Sequence, residues 1–289
     1  MLRLAVATQQ ETFERVREPL ADRGVEAVAL RASERTLSLS APSLPDVDVG
    51  FVFPARLMEG GAVAAALDVP WVNGREAVLR SRNKAGALAR LAAADVPTPA
   101  TTLVSNPLEE SAVVAAADDV GYPVVVKPNS TTRGVGVAKA TDPDSLSGVT
   151  DYLDLVHDYR ATGDKSYLLQ EFVPEARDYR AMVVDGEYAG AVERRLPETA
   201  LEAGRWKHNV HRGAEATGVD LPPEARRLAE RAAAALGVDY LGVDLLATGD
   251  GYLVNETNAR PTVDAATKYE PGFHDRLAGL IRKTASEEG

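Results

Sequence analysis

Apolar residues in this chain fall into short runs that alternate with longer stretches at helical spacing. Residues 2–8 read as a strand, 11–23 as a helix, and 25–30 and 47–53 as strands, with a helix following at about 57–67. Strands that alternate with helices imply a small parallel sheet. The Ser/Pro-rich stretch 38–45 reads as a loop. A helix over 80–94, with Ser81 near its start, stops at Asp95-Val96-Pro97-Thr98-Pro99. A second unit then runs strand 101–104, helix 108–118, strand 124–127, glycine loop, strand 137–140 and helix 144–159. A third opens with strand 167–172. Strand 179–184 turns at Asp185-Gly186 into 188–192. A helix starts near Pro222-Pro223, with Leu228, Ala232 and Leu236 at helical spacing. A hairpin over 239–258 and a C-terminal helix complete the pattern.

Composition narrows the picture. At 289 residues and 45% hydrophobic types, the chain can bury a core and more than one lobe. No apolar run approaches the ~18 residues that span a bilayer, and the first seven residues read as a strand, not a signal peptide, so a cytoplasmic protein is expected. With no cysteine, disulfides, thiol catalysis and Cys-ligated zinc are excluded. A net charge of −11 argues against non-specific nucleic-acid binding, which phosphate attraction drives. Only seven of the 32 basic residues are lysine, the balance of a protein from a salty cytoplasm. Each remaining lysine therefore draws notice.

The segment Val243-Asp244-Leu245-Leu246-Ala247, Thr248-Gly249-Asp250-Gly251 and Tyr252-Leu253-Val254-Asn255-Glu256-Thr257-Asn258 suits a three-residue turn with a bulge. If Thr248 pairs with Tyr252, Asp244 falls opposite Glu256, and Asn258 shares that face. Like charges directly opposite are destabilising, and a divalent cation with oxygen ligands removes the conflict. An edge hairpin with a solvated polar face is the other reading, and a different turn register would separate the two carboxylates. Lys84 sits in the first turn of its helix, against the helix dipole. A bound phosphate would resolve the mismatch, as would a solvated, frayed helix end. Lys127 ends an apolar run and leads into Pro128-Asn129-Ser130-Thr131-Thr132-Arg133-Gly134-Val135-Gly136. That loop either aims N–H groups at phosphates or is a plain glycine hairpin loop. The P-loop spacing is absent, and no G-x-G-x-x-G follows the first strand.

With Lys84, Lys127-Pro-x-x-x-x-Arg-Gly-x-Gly and the Asp…Glu-x-Asn hairpin in this order, the chain resembles the ATP-grasp superfamily. It is most similar to RimK-type α-L-glutamate ligases. Leu169-Gln170-Glu171-Phe172-Val173 resembles the hinge that holds adenine. Glu175-Ala176-Arg177-Asp178-Tyr179-Arg180 resembles the segment with a ribose-contacting acid and a phosphate-side arginine. Trp206-Lys207-His208-Asn209-Val210-His211-Arg212-Gly213 resembles the stretch at nucleotide and substrate. The run from Leu236 to Asp244 matches the approach to the first metal ligand. The resemblance extends from about residue 80 onward. It implies an α/β (α+β lobes) ATP-grasp fold: a Rossmann-like preATP-grasp domain at 1–80, a lid subdomain at 81–166 and a metal-bearing C-terminal subdomain at 167–289.

It also implies ATP as co-substrate and two Mg²⁺ ions, with Mn²⁺ as an alternative, held by Asp244, Glu256 and Asn258. Lys84, Lys127, Arg133, Gly134, Gly136, Glu171, Phe172, Val173, Asp178, Lys207, His208 and Asn209 would surround the nucleotide. Arg180, Arg212 and Arg260 would stabilise the reacting acyl-phosphate, Arg260 nearest. The implied reaction joins a carboxylate to an amine with release of ADP and phosphate. Glutamate or a similar amino acid would be added to a small molecule or protein tail; a homo-oligomer is compatible. Arg260, four residues after Glu256, is more like carboxylating, purine-biosynthesis and tyramine–glutamate ligase branches, so a carboxylating or purine-type enzyme is an alternative. A non-catalytic ATP-binding regulator is another. His208 and His211 form H-x-x-H but lack the glutamate and third ligand of a zinc site. Asp264 and Lys268 either line the substrate site or form an i, i+4 ion pair.

Overall fold

The computed structural model describes residues 1–131, 134–156, 164–207, 213–263 and 268–287. Its first sheet holds β1 (Leu2–Val6), β2 (Val25–Ala29), β3 (Val49–Phe51) and β4 (Trp71–Val72). The order is β2-β1-β3-β4, all parallel. The two-residue β4 is too short to show alternation in sequence. Helices α1 (Gln10–Ala21) and α2 (Leu57–Leu67) make the crossovers. The order reverses between β1 and β3, and α/β sheets bind ligands at the carboxyl ends of strands beside such a reversal.

The expected helix over 80–94 is in fact two helices, α3 (Arg75–Arg82) and α4 (Lys84–Ala93). Asn83 leaves helical geometry between them, and its side chain accepts the N–H of Gly86 at 3.1 Å. An asparagine that caps a new helix overrides the continuous apolar spacing.

A second, antiparallel sheet follows the order β5-β8-β6-β7, formed by β5 (Thr101–Ser105), β6 (Val124–Pro128), β7 (Ala138–Ala140) and β8 (Ser166–Glu171). Helices α5 (Glu110–Val120) and α6 (Pro143–Val156) cover one face, with Val113 and Leu146 packed on Val124, Val126 and Leu169. The other face presents Lys127 and Gln170.

The third sheet is antiparallel, in the order β11-β10-β9-β12-β13. It comprises β9 (Arg177–Val184), β10 (Glu187–Arg195), β11 (Glu215–Val219), β12 (Tyr240–Thr248) and β13 (Gly251–Asn258). The short helix α7 (Glu198–Glu202) and β11 have no counterpart in the sequence reading. Residues alternate between faces along each strand. Tyr179, Ala181, Val183, Val243 and Leu245 bury against α8 (Pro223–Leu236). At its far end, α9 (Phe273–Ser286) packs Phe273, Leu277 and Ile281 into one core with Leu4 and Phe51 of the first sheet and Met182 of the third. Gly190 makes that closeness possible: φ is +124°, and a Cβ there would lie 2.7 Å from the Tyr269 Cα. No helix among the described residues is long and apolar enough to cross a membrane.

Candidate active site

The face of the third sheet turned away from α8 carries the polar set. Arg180 of β9 lies opposite Asp244 of β12, and Asp244 lies opposite Glu256 of β13. Asn258, opposite Gly242, shares the face of Glu256. The pairing is as expected, but the turn that produces it is not. Thr248 pairs with Gly251, leaving a two-residue turn, and the register then shifts between Asp244 and Leu245. Asn255 is the extra residue. If this sequence paired without a bulge, the two-residue turn would set Asn255 opposite Asp244. The bulge restores the carboxylate pair and points the Asn255 amide elsewhere.

Asp244 is buried and held by two guanidiniums. Arg180 donates to both of its oxygens, at 2.7 and 2.8 Å, and Arg194 of β10 lies 3.1 Å away. Burial alone would raise this carboxyl; Arg180 and Arg194 outweigh burial and hold it below the usual carboxylate range. Arg194 is almost fully buried and donates to Asp178 at 2.6 Å. Burial disfavours its charge, but Asp244 and Asp178 together raise its pKa above the ordinary arginine value. Asp178 is thus turned to Arg194 and is not part of the cavity wall described below. Arg194 lies two residues beyond the expected strand end at 192, because the strand continues to Arg195. Its alternation with Val192 was the available signal.

Lys84 is neither solvated nor at a frayed end. It is buried at the first position of α4, its Nζ bonded to the Thr131 carbonyl and 3.5 Å from Glu256. The first N–H groups of α4 are already taken: Asn129 accepts from Lys84 and Ala85, and Asn83 from Gly86. An anion would therefore meet the Lys84 ammonium, not a bare helix end. Lys127 is buried between the sheets and bonded to Gln170 and, at 2.9 Å, to Asn255. Burial pushes its pKa down to about 8; Glu256 opposes that shift and Lys84 adds to it. Gly134 and Gly136 both adopt positive φ, and a Cβ on Gly136 would lie 2.8 Å from the Pro128 ring.

These groups open on a cavity of about 680 Å³. Lys84, Gly134, Arg180, Asp244, Glu256 and Asn258 line one part of it. The opposite wall comes from the carboxyl ends of the first sheet. Arg260 joins the two, its guanidinium 3.4 Å from the Ala7 carbonyl and 3.5 Å from that of Val52. Its N–H donates to the Asn258 side chain at 2.8 Å. Ser81 pins the hairpin from behind, donating to the Thr257 carbonyl and accepting from Ala259 N–H.

At the hinge, Glu171 exchanges hydrogen bonds with Ala100, Phe172 meets the Trp206 ring edge-on at 5.8 Å, and Val173 follows, half-buried. Lys139 sits 4.4 Å over the Phe172 ring, and Lys207 bonds to the Val137 carbonyl. Arg133, His208, Asn209, His211, Arg212 and Asp264 lie outside the described residues.

A pair of carboxylates and an amide oxygen on one sheet face are hard oxygen donors. They fit Mg²⁺, which takes one or two carboxylates and completes its shell from water and phosphate. No cluster of three or more His, Cys, Asp or Glu that could hold a metal ion occurs among the described residues.

A three-sheet chain whose cleft joins buried lysines to a polar hairpin has the architecture of an ATP-grasp protein. A crystal structure of a RimK domain ATP-grasp protein from Sphaerobacter thermophilus superposes with a TM-score of 0.69, at 26% identity, over 99% of this chain and 100% of that one. The RimK-like ATP-grasp domain matches residues 81–272, and the chain belongs to that family. A probable alpha-L-glutamate ligase of Klebsiella pneumoniae is 32% identical over 75% of this chain and 69% of its own length. A ribosomal protein bS6–L-glutamate ligase of Escherichia coli is 32% identical over 68% of this chain. The alignment spans 62% of that relative's length.

Proposed function

We propose that this chain is an Mg-ATP-dependent carboxylate–amine ligase. The observation that carries this reading is the Asp244–Glu256 pair, with Asn258 beside it, facing one cavity with Lys84 while Lys127 lies behind. Lys84 and Lys127 would bind phosphate oxygens, and Glu171, Phe172 and Val173 the base. Bound Mg²⁺ would supply charge neutralisation at the phosphates, held by Asp244, Glu256 and Asn258. Phosphoryl transfer needs mainly positioning and charge stabilisation, which fixed cations and a rigid sheet provide. A carboxylate oxygen attacks the γ-phosphorus and ADP leaves; an amine then attacks the acyl carbon and phosphate leaves. Arg180 and Arg260 face the cavity where negative charge develops.

The names of the relatives favour glutamate, or a similar amino acid, as the group added to a small-molecule or protein-tail acceptor. A ribosomal-protein acceptor would place the activity in the cytoplasm. We read residues 1–80, 81–166 and 167–289 as the preATP-grasp, lid and metal-bearing units. Release of ADP from Mg-ATP, assayed across an amino-acid panel with acidic peptides and cell-extract small molecules as acceptors, tests the reading. Asp244→Asn and Glu256→Gln should each reduce amino-acid-dependent release at least ~100-fold, since both act on the transferring phosphoryl group. Release that depends on bicarbonate instead, or no release despite ATP binding, would overturn it.

A further inference from the structure

The cavity's charge exceeds what a nucleotide and its metal require. Among the described residues, eight lining side chains are Arg or Lys and three are Asp or Glu, in a chain whose net charge is −11. The three acids are engaged: Glu11 by Arg15, Asp244 by Arg180 and Arg194, and Glu256 by Lys84. Arg56 has Glu59 at 3.2 Å. Arg82 and Arg31 meet no carboxylate among the described residues. Among the described residues the Arg82 guanidinium has the Ala55 carbonyl alone, at 3.2 Å, and Arg31 stands at the rim.

These two residues belong to one wall. Residues 30–33 follow β2, residues 54–56 follow β3, and Arg82 ends α3 against Ala55. The chain enters the 54–56 turn through Val52, which is fully buried at φ +60°. A β-branched residue in the left-handed region is strained, and such strain gathers at ligand sites. The wall also lies at the carboxyl ends beside the strand-order reversal. Residues 30–33 and 54–56 precede residue 81, where the match to the family begins. The metal hairpin and the buried lysines account for the phosphates at the other part of the cavity, with Arg260 between the two.

We infer that this wall binds a second anionic group on the substrate, remote from the reacting carboxylate. Arg31 and Arg82 are its specificity-determining residues, and a small polycarboxylate is the substrate class. The inference rests on the ligase reading. Guanidinium forks suit carboxylates in bidentate geometry, and a concave basic site in an acidic protein concentrates small polyanions.

Calorimetric titration of the full chain with tricarballylate, acetate and inorganic phosphate, each with ADP present, tests this without turnover. Tricarballylate should bind alongside ADP, and acetate at least tenfold more weakly. Arg31→Met and Arg82→Met should each weaken tricarballylate on the order of tenfold, as loss of a charged hydrogen bond does. An unchanged ADP affinity shows that each variant is folded, and Arg31, at the rim, is the variant least able to disturb the fold. Phosphate binding that is equally sensitive to both variants, with tricarballylate no tighter than acetate, would overturn the polycarboxylate class. Displacement of tricarballylate by ADP, or binding indifferent to both substitutions, would overturn it. Absence of ADP release in the turnover assay, with tricarballylate binding intact, would count against the ligase reading alone.

Discussion

Arg194 shows how one side chain can hold a polar face together. It bridges Asp178 on the neighbouring strand and Asp244 one strand beyond. Arg194→Leu strips both carboxylates of that guanidinium while they stay buried, and should cost about 3 kcal/mol in urea unfolding. The double variant with Asp178→Leu should recover part of the loss. Lys127 makes a different prediction. Its native pKa of about 8 lies below the 10.5 of an unperturbed lysine. Below pH 8 both states hold the proton and the native state bears the full cost of burying it. Between about 8 and 10.5 the unfolded chain binds more protons, so stability rises with pH. Lys127→Met lacks this slope, and its stability advantage over the wild type should shrink between pH 8 and 10. A constant difference across that window would mean that Lys127 keeps an ordinary pKa. Lysine scarcity made Lys84 and Lys127 visible in the sequence. Gln170 and Asn255, the amide partners of Lys127, carry no charge that would mark them in the sequence, and only folding brings them to it.

At the level of elements, the hairpin was read correctly through a wrong turn. Apolar alternation fixed the faces of β12 and β13 locally, and glycines 249 and 251 allowed more than one turn. Neither could reveal that Asn255 is inserted. The bulge is a property of the pairing, set jointly by the turn and by the Lys127 contact. Deleting Asn255 should straighten β13 and leave Glu256 opposite Asp244. Metal dependence should then survive in the ADP-release assay, while the KM for ATP rises about tenfold because Lys127 loses an acceptor. Loss of metal dependence would show that the carboxylate register needs the bulge. The break at Asn83 has the same origin. Helical periodicity runs through it, and a capping side chain decides locally where the axis ends.

The whole molecule assembles its cavity from stretches far apart in sequence, which is why its far wall was not legible. The parallel sheet was predicted from alternating elements, yet nothing in that pattern distinguishes a loop that lines a cavity from one that does not. The first and third sheets share one core across α9, and Asn73 ties them again. With φ +52° it turns the chain and donates to the Tyr240 and Ala259 carbonyls. Asn73→Ala leaves two buried acceptors short of a donor. It should cost about 2 kcal/mol, a fall of roughly 5 °C in Tm by calorimetry. A shift under 1 °C would mean that water replaces the amide.

The contrast between the acidic chain and its basic cavity has a kinetic side. A polyanion approaching from solution meets repulsion from the outer surface and attraction only once it has entered. Mobile ions screen the outer field over about 10 Å at 0.1 M salt, and reach a partly enclosed throat less well. Added salt thus lowers the barrier to encounter before it weakens capture, so the ionic strength around the molecule sets how quickly it finds what it binds.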